Sequence, residues 1–218
     1  MADEKAKIDF YYTPESAPCR AVLMTAKHLA IDLNLIEIDL NQKQHLTELF
    51  FKMNPFHCVP TINDNGFVLW ESRAIMQYFV NKYFPNHQLY PREAAKRATV
   101  DRLLFFDIGT LYKALRDYIH PIVHENKRDE IAESRLWDKM KFLDTFLKNK
   151  HFVAGDQLTL ADLSLLASVT SAEIIDYNFS QFPNVINWIR KLKLELPYYE
   201  EVNGKPLREA KQRFKSSQ

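Results

Sequence analysis

Hydrophobic and polar positions follow different patterns in the two parts of the chain. Up to about residue 84, short apolar runs typical of strands alternate with helical stretches. Ile8–Tyr12 and Leu35–Asp39 predict strands, and Pro18–Ala30 between them predicts a helix with proline in its first turn. Because parallel strands need a crossover connection of this kind, we expect a βαβ unit.

The rest of the first part predicts a short helix, a hairpin and a longer helix. His45–Met53 is the short helix. Asp64-Asn65-Gly66 separates two apolar runs, Pro60–Asn63 and Phe67–Trp70, and is a typical tight-hairpin turn. Arg73–Phe84 then places its apolar residues on one side of a helix. The predicted order is therefore βαβ followed by αββα.

Strand patterns end near residue 92, and helices are predicted over roughly 92–120, 129–150, 160–177, 183–194 and 205–214. Thr159-Leu160-Ala161-Asp162 fits a capping box with aspartate in place of the usual glutamate. Leu160–Ala172 is apolar on nearly every side, which predicts the central buried helix. Residues 85–91 carry a proline at each end and are expected to link a domain of residues 1–84 to an all-α domain of residues 92–218.

Composition excludes several function classes. The four glycines lie more than forty residues apart, so dinucleotide-binding, P-loop and nucleophile-elbow motifs are absent. The 29 basic and 28 acidic residues give a net charge of +1, which predicts no nucleic-acid partner.

Cys19 and Cys58 are too few for a disulfide framework, and the seven histidines show no zinc motif. The sequence shows no signal-peptide pattern, and its longest apolar run, Leu163–Ala172, is too short to span a bilayer. We therefore expect a cytoplasmic protein without a membrane partner.

Three segments resemble a known family: FYYTPESAPCRAVLMTAK, MNPFHCVPTINDNGFVLWESRAI and VAGDQLTLADLSL. They are similar to cytosolic glutathione transferases, most of all to the insect delta class, with the epsilon class next. The resemblance covers almost the whole chain. It implies an α/β thioredoxin-like N-terminal domain, an all-α C-terminal domain, a homodimer, and attack of the glutathione thiolate on hydrophobic electrophiles. It implies glutathione as co-substrate and no further cofactor.

Ser16 lies between the first strand and the first helix. A hydroxyl at this position either caps the helix or donates to an anion at the positive end of the helix dipole, and the residues alone leave both roles open. The resemblance matches Ser16 to the catalytic serine of the delta class. Ser16 also replaces the first cysteine of the C-x-x-C motif found in thioredoxin-like redox proteins. We expect Cys19, at the second cysteine position, to be a buried structural thiol.

His57-Cys58-Val59-Pro60 forms the second predicted site segment. The residue before a proline is extended, so Val59 is able to pair its N–H and C=O with an extended peptide. The resemblance implies that Pro60 is cis, that Val59 pairs with the cysteine of glutathione, and that His45 and His57 reach the glycyl carboxylate. Without the resemblance, the two histidines are surface residues flanking a helix.

Glu71-Ser72-Arg73 forms the third segment. Ser72 is expected to cap the helix that follows the last strand. A ligand with an ammonium and a carboxylate on one carbon needs an adjacent acceptor and donor. We therefore expect Glu71 to bind the γ-glutamyl ammonium, Ser72 to bind its carboxylate, and Arg73 to add positive charge for an anionic ligand.

The electrophile site is predicted from positions that match the hydrophobic site of the delta class. These positions are Pro18, Leu40, Tyr112, Leu115, His120, Val123 and His124. Core packing is the alternative for the helical stripe of Tyr112 and Leu115, and the two histidines stand where the class usually has aromatic residues. Two other functions also remain open: a non-catalytic glutathione-transferase-like binding module, and a glutathione-dependent peroxidase or oxidoreductase that uses Cys19.

Overall fold

The computed structural model describes residues 8–216, and its first part combines four strands with helices. The predicted βαβ-αββα order is confirmed, although the second strand lies two residues earlier than predicted. The elements are β1 (Ile8–Tyr12), α1 (Ala17–His28), β2 (Leu33–Glu37), a 3₁₀ turn (Gln44–Leu46), α2 (Glu48–Met53), β3 (Thr61–Asp64), β4 (Phe67–Trp70) and α3 (Ser72–Tyr83).

The strands form one mixed sheet in the order β2-β1-β3-β4. The pair β1·β2 is parallel, as the crossover helix predicts, and the other two pairs are antiparallel. The turn between β3 and β4 has positive φ at Asn65 (53°) and Gly66 (94°), as a type I′ hairpin requires.

Only helices follow within the described residues. They are α4 (Ala94–Phe106), a π turn (Asp107–Leu111), α5 (Tyr112–Glu125), α6 (Glu130–Leu147), α7 (Leu160–Thr170), a 3₁₀ turn (Ser171–Ile175), α8 (Pro183–Glu195), a second π turn (Glu200–Gly204) and α9 (Lys205–Ser216). None of them is long and apolar enough to cross a membrane.

The prediction that the helix ends near residue 120 is wrong. α5 continues through Pro121 to Glu125. Proline inside a helix removes one backbone hydrogen bond. Ile119 and Ile122, on either side of Pro121, are buried in the core, and this packing holds the helix together across the proline.

α7 is the central buried helix, as predicted, and every one of its residues is buried. The capping box at its start is confirmed: the Asp162 carboxylate accepts from the Thr159 N–H at 3.0 Å. The same carboxylate accepts from the Val153 N–H at 2.8 Å and from Trp188 Nε1 at 3.0 Å. Because α1 and α3 both pack on α7, this helix joins the sheet domain to the helical domain.

Candidate active site

The register of the sheet brings the three predicted site segments to one edge. Tyr11 of β1 lies opposite Thr61 of β3, and Thr61 lies opposite Trp70 of β4. The end of β1, the start of β3 and the end of β4 are therefore neighbours. The segments attached at these points contain Ser16, Val59–Pro60 and Glu71–Ser72.

Ser16 caps the N-terminus of α1. Its Oγ accepts from the Cys19 N–H at 3.4 Å, and its own N–H donates to the Thr13 carbonyl at 3.2 Å. The cap role considered from the sequence is thus present. It does not exclude the second role, because a hydroxyl that accepts a hydrogen bond still has a proton to donate.

Cys19 is the buried thiol that the sequence predicts, with 0% of its surface exposed. Burial raises the pKa of this thiol to about 11, and the opposing hydrogen bond with Ser16 does not offset it. A thiol with this pKa is protonated at neutral pH and is a poor nucleophile. The pKa and burial of Cys19 therefore argue against a role as the reactive sulfur of this site.

The loop before β3 is held by a buried asparagine that sequence analysis missed. The Val59–Pro60 peptide bond is cis, as the resemblance implies. Asn54 Nδ2 donates to the Cys58 carbonyl at 3.1 Å and to Thr61 Oγ1 at 2.9 Å, and Thr61 Oγ1 donates to the same carbonyl at 2.8 Å. Within residues 8–216, no hydrogen bond uses the N–H or C=O of Val59. The loop thus presents an unpaired backbone edge.

The two predicted histidines lie near each other, with ring centroids 6.3 Å apart. His57 is exposed, has a left-handed backbone (φ 40°) and stacks with Phe51 at a centroid distance of 6.5 Å. His45 is half-buried, and its Nδ1 has no hydrogen-bond partner among the described residues. This buried nitrogen is thus an unsatisfied polar atom within the described residues.

Glu71 and Ser72 differ from the predicted cap. Glu71 is the N-cap of α3, with φ 72°, and no side chain caps the helix. Because the chain turns sharply at Glu71, Ser72 becomes the first helical residue, and its buried Oγ accepts from Arg73 Nη1 at 2.9 Å. The Glu71 carboxylate is exposed and forms no ion pair within the part of the chain that the structure describes.

Arg73 is buried and linked to the helical domain. Its Nη2 lies 2.5 Å from Asp107 Oδ2, which also accepts from Ser164 Oγ at 2.5 Å. The guanidinium also lies over the Tyr112 ring, 5.5 Å from its centroid. The Arg73 guanidinium is therefore paired with the Asp107 carboxylate and also donates a hydrogen bond to Ser72. Sequence analysis missed Asp107 and Ser164 because no local motif marks them.

Comparison with known proteins assigns the family. Residues 7–81 match the family model of the glutathione S-transferase N-terminal domain, and residues 106–193 match that of the C-terminal domain. The chain belongs to the glutathione transferase family. Glutathione transferases use glutathione as co-substrate, and within residues 8–216 no three histidine, cysteine or acidic side chains are grouped as metal ligands.

Solved structures of insect glutathione transferases are similar over nearly the full length. A delta-class glutathione transferase of Nilaparvata lugens is 46% identical, with a TM-score of 0.92 over 97% of this chain and 100% of that chain. A Bombyx mori glutathione transferase is 38% identical, with a TM-score of 0.92 over 95% and 97%. An epsilon-class enzyme of the housefly, Musca domestica, is 37% identical, with a TM-score of 0.89 over 96% and 98%. The resemblance to the delta class, with the epsilon class next, is confirmed.

In this glutathione transferase, the residues predicted for the electrophile differ in exposure. Leu115 is buried in the core, at 1% exposure, as the core-packing alternative has it. Tyr112 contacts Arg73 of the third predicted site segment. The His120 and His124 rings are both exposed, with centroids 4.4 Å apart. Pro18 and Val123 are half-buried and Leu40 is exposed.

Proposed function

We propose that this glutathione transferase conjugates the glutathione thiolate to hydrophobic electrophiles, with the Ser16 hydroxyl donating to the sulfur. The observation that carries the proposal is the sheet register, with Tyr11 opposite Thr61 and Thr61 opposite Trp70. It supports one binding site made from the end of β1, the cis-proline loop and the start of α3.

Each part of glutathione has chemically suitable groups on the chain. The free N–H and C=O of Val59 suit the cysteinyl backbone, as in strand addition. The unpaired Glu71 carboxylate suits the γ-glutamyl ammonium, and the Ser72 hydroxyl and N–H suit its carboxylate. His45 and His57, whose ring centroids lie 6.3 Å apart, suit the glycyl carboxylate.

Cys58, Pro60 and Arg73 hold the binding residues in position, whether or not they also contact glutathione. Cys58 and Pro60 fix the course of the loop on both sides of Val59. Arg73 orients the Ser72 hydroxyl by donating a hydrogen bond to it.

The energy of one hydrogen bond is enough for Ser16 to stabilise the thiolate without a general base. A cysteine thiol has a pKa of about 8.5, so only a few per cent is thiolate at neutral pH. A hydrogen bond to a charged acceptor contributes roughly 1.5–3 kcal/mol. At about 1.36 kcal/mol per pKa unit, this lowers the thiol pKa by roughly one to two units. The N-terminus of α1 adds its dipole in the same direction.

The two alternative functions have less support. An oxidoreductase or peroxidase that uses Cys19 needs an exposed thiol with a low pKa, and Cys19 is buried with a raised pKa. A non-catalytic binding module does not need Ser16 together with Glu71 and Ser72, and this chain has all three.

We further propose a cytoplasmic homodimer that acts in detoxification, as is usual in the family. Large apolar side chains that stay exposed in the single chain support a protein interface, among them Phe105 at 72% and Phe56 at 68%. We place the boundary between the domains of residues 1–84 and 92–218 in segment 85–91.

A conjugation assay with a small aryl halide tests the proposal. We expect product formation that requires both the protein and glutathione. Absence of turnover across a panel of aryl halides, epoxides and enals, with glutathione bound, would overturn the conjugation activity and support the binding module. Light scattering after size exclusion tests the dimer, for which we expect twice the mass of the 25.7 kDa chain.

A further inference from the structure

Arg20 is the largest fully buried side chain of the described residues, and it lies one turn into α1 from Ser16. Its guanidinium is 0% exposed. Burial lowers the pKa of Arg20 to about 10, which still leaves the group charged at neutral pH. A buried charge is costly unless it is well hydrogen-bonded, so its partners indicate what it does.

The guanidinium joins the Ser16 turn to the helical domain. Nη1 donates at 2.5 Å to the carbonyl of Glu15, the residue directly before Ser16. The other partners all belong to the helical domain: Nε donates to Asn203 Oδ1 at 2.7 Å, and Nη2 donates to the Ala167 carbonyl at 2.9 Å and to Ser171 Oγ at 2.8 Å. None of these four acceptors is a carboxylate, so none cancels the charge.

Glu15 is held a second time, through its side chain. The Glu15 carboxylate forms an exposed ion pair with Arg213 of α9. The backbone of the turn is fixed further by the Ser16 N–H, which donates to Thr13, and by the Arg20 N–H, which donates to the Ser16 carbonyl at 2.9 Å. The position of Ser16 thus depends on contacts from α7, the second π turn and α9.

We propose that Arg20 is a positioning residue for Ser16, which it holds in place by tying the Glu15 carbonyl to the helical domain. The inference rests on the proposed role of Ser16. The buried positive charge of Arg20, close to the N-terminus of α1, also favours the thiolate form of a sulfur bound at Ser16.

Arg20→Lys tests the positioning role because it keeps the charge and loses the forked hydrogen bonds. The measurement is thiolate absorbance of bound glutathione against pH, together with kcat and the KM for glutathione. We expect the thiol pKa to rise by about 0.5–1 unit and kcat near pH 6.5 to fall about three- to tenfold. We expect the KM to change less than about twofold, and kcat to recover at high pH, where the thiolate forms unaided.

Thr25→Val is the matched control. Thr25 lies on the same helix and is equally buried, but its Oγ1 bonds only to the Ala21 carbonyl at 2.9 Å. We expect this variant to change the melting temperature and not the thiol pKa. If Arg20→Lys behaves like Thr25→Val, Arg20 is only structural and the inference is overturned. Asn203→Ala removes one acceptor and carries the same test if Arg20→Lys does not fold.

A double variant separates this inference from the proposed function. If Ser16→Ala leaves the thiol pKa unchanged, the role of Ser16 itself fails, and the positioning role with it. If Ser16→Ala raises the pKa and Arg20→Lys does not, the positioning role alone fails. We expect Arg20→Lys to add no further rise in the Ser16→Ala background, because its effect passes through Ser16.

Discussion

Arg73 Nη2 lies 2.5 Å from Asp107 Oδ2, and the two side chains form a buried ion pair between α3 and the π turn that follows α4. The same guanidinium donates to the Ser72 hydroxyl. The ion pair therefore connects a predicted glutathione-binding residue to the helical domain. Asp107, which the sequence analysis missed, pairs with Arg73 across 34 positions of the chain.

We expect Asp107→Ala to lower the free energy of unfolding by about 3–5 kcal/mol, because it leaves the buried Arg73 without its counter-charge. Glutathione binding should weaken about tenfold at temperatures where the variant is folded, since Ser72 loses its orientation. Urea unfolding and calorimetry measure the two effects. Ser164→Ala, the control, removes only one hydrogen bond to Asp107 and should cost about 1 kcal/mol. Wild-type values for Asp107→Ala in both measurements would contradict this role.

Ser16→Ala should leave glutathione binding nearly intact but raise the pKa of the bound thiol by about one to two units. We expect kcat at neutral pH to fall roughly ten- to a hundredfold. A pH titration of thiolate absorbance in the variant complex measures the shift. Asp129→Ala is the control, because it removes the N-cap of α6 at about the same cost of 1 kcal/mol in stability. An unchanged titration curve for Ser16→Ala would reject the assignment.

Glu71→Ala and Ser72→Ala should each weaken glutathione binding ten- to a hundredfold, because a charged hydrogen bond contributes about 1.5–3 kcal/mol. Since Ser72 does not cap α3, the stability cost of its variant comes from the Arg73 hydrogen bond that it loses. Calorimetry on folded protein gives the affinities.

A glycine at position 71 provides a control for the backbone. Glu71→Gly should bind glutathione as weakly as Glu71→Ala, because both lack the carboxylate. It should be more stable by about 1 kcal/mol, because glycine adopts the φ of 72° without strain. Wild-type affinity in the alanine and glycine variants would show that Glu71 does not bind the ligand.

The exposed, neighbouring rings of His120 and His124 are expected to affect electrophile affinity if they line the site. An imidazole is more polar than the aromatic side chains usual at these positions in the delta class, so it receives an apolar ligand less favourably. We therefore expect the His120→Phe, His124→Phe double variant to lower the KM for an apolar electrophile, measured with glutathione saturating. If the KM of the double variant equals that of the wild type, neither ring contacts the electrophile.

The hydrogen bonds of Asp64 lead us to expect a lower free energy of unfolding in acid. Burial opposes the charged form of Asp64, but hydrogen bonds from Lys82 (2.6 Å), Tyr83 (2.5 Å) and Tyr78 (2.7 Å) outweigh it and lower the pKa to about 2. Because the pKa is lower in the folded state than in the unfolded chain, the carboxylate stabilises the fold above about pH 4. This contribution is lost as pH falls toward 2.

We therefore expect Asp64→Asn to cost about 2 kcal/mol at pH 7 and progressively less below pH 4. Urea unfolding at several pH values measures the difference from wild type. Lys82→Met, which removes one of the donors, should lose part of the same pH-dependent stability. A constant difference between Asp64→Asn and wild type from pH 7 to pH 2.5 would show that the carboxylate is not held in its charged form.

Sequence analysis predicted the three segments that the sheet brings together, but not the groups that support them. Ser16, Val59–Pro60 and Glu71–Ser72 were predicted from the family resemblance and from their places beside strand ends that the apolar pattern marks. The buried groups behind them were missed. Asn54 is one example, since its role depends on a hydrogen bond to Thr61 that forms only when the loop folds back on β3.

By itself, the sequence determined the local structure: the Thr159–Asp162 capping box, the type I′ hairpin and the buried α7. These features depend on hydrogen bonds between residues close in the chain and on apolar periodicity, both of which the sequence encodes directly. Only the tertiary structure decided the partners of the buried arginine: Arg20 reaches acceptors 147 and 183 residues away. The physical reason is that packing of α1 and α3 on α7 fixes these pairs, and no spacing along the chain encodes that packing.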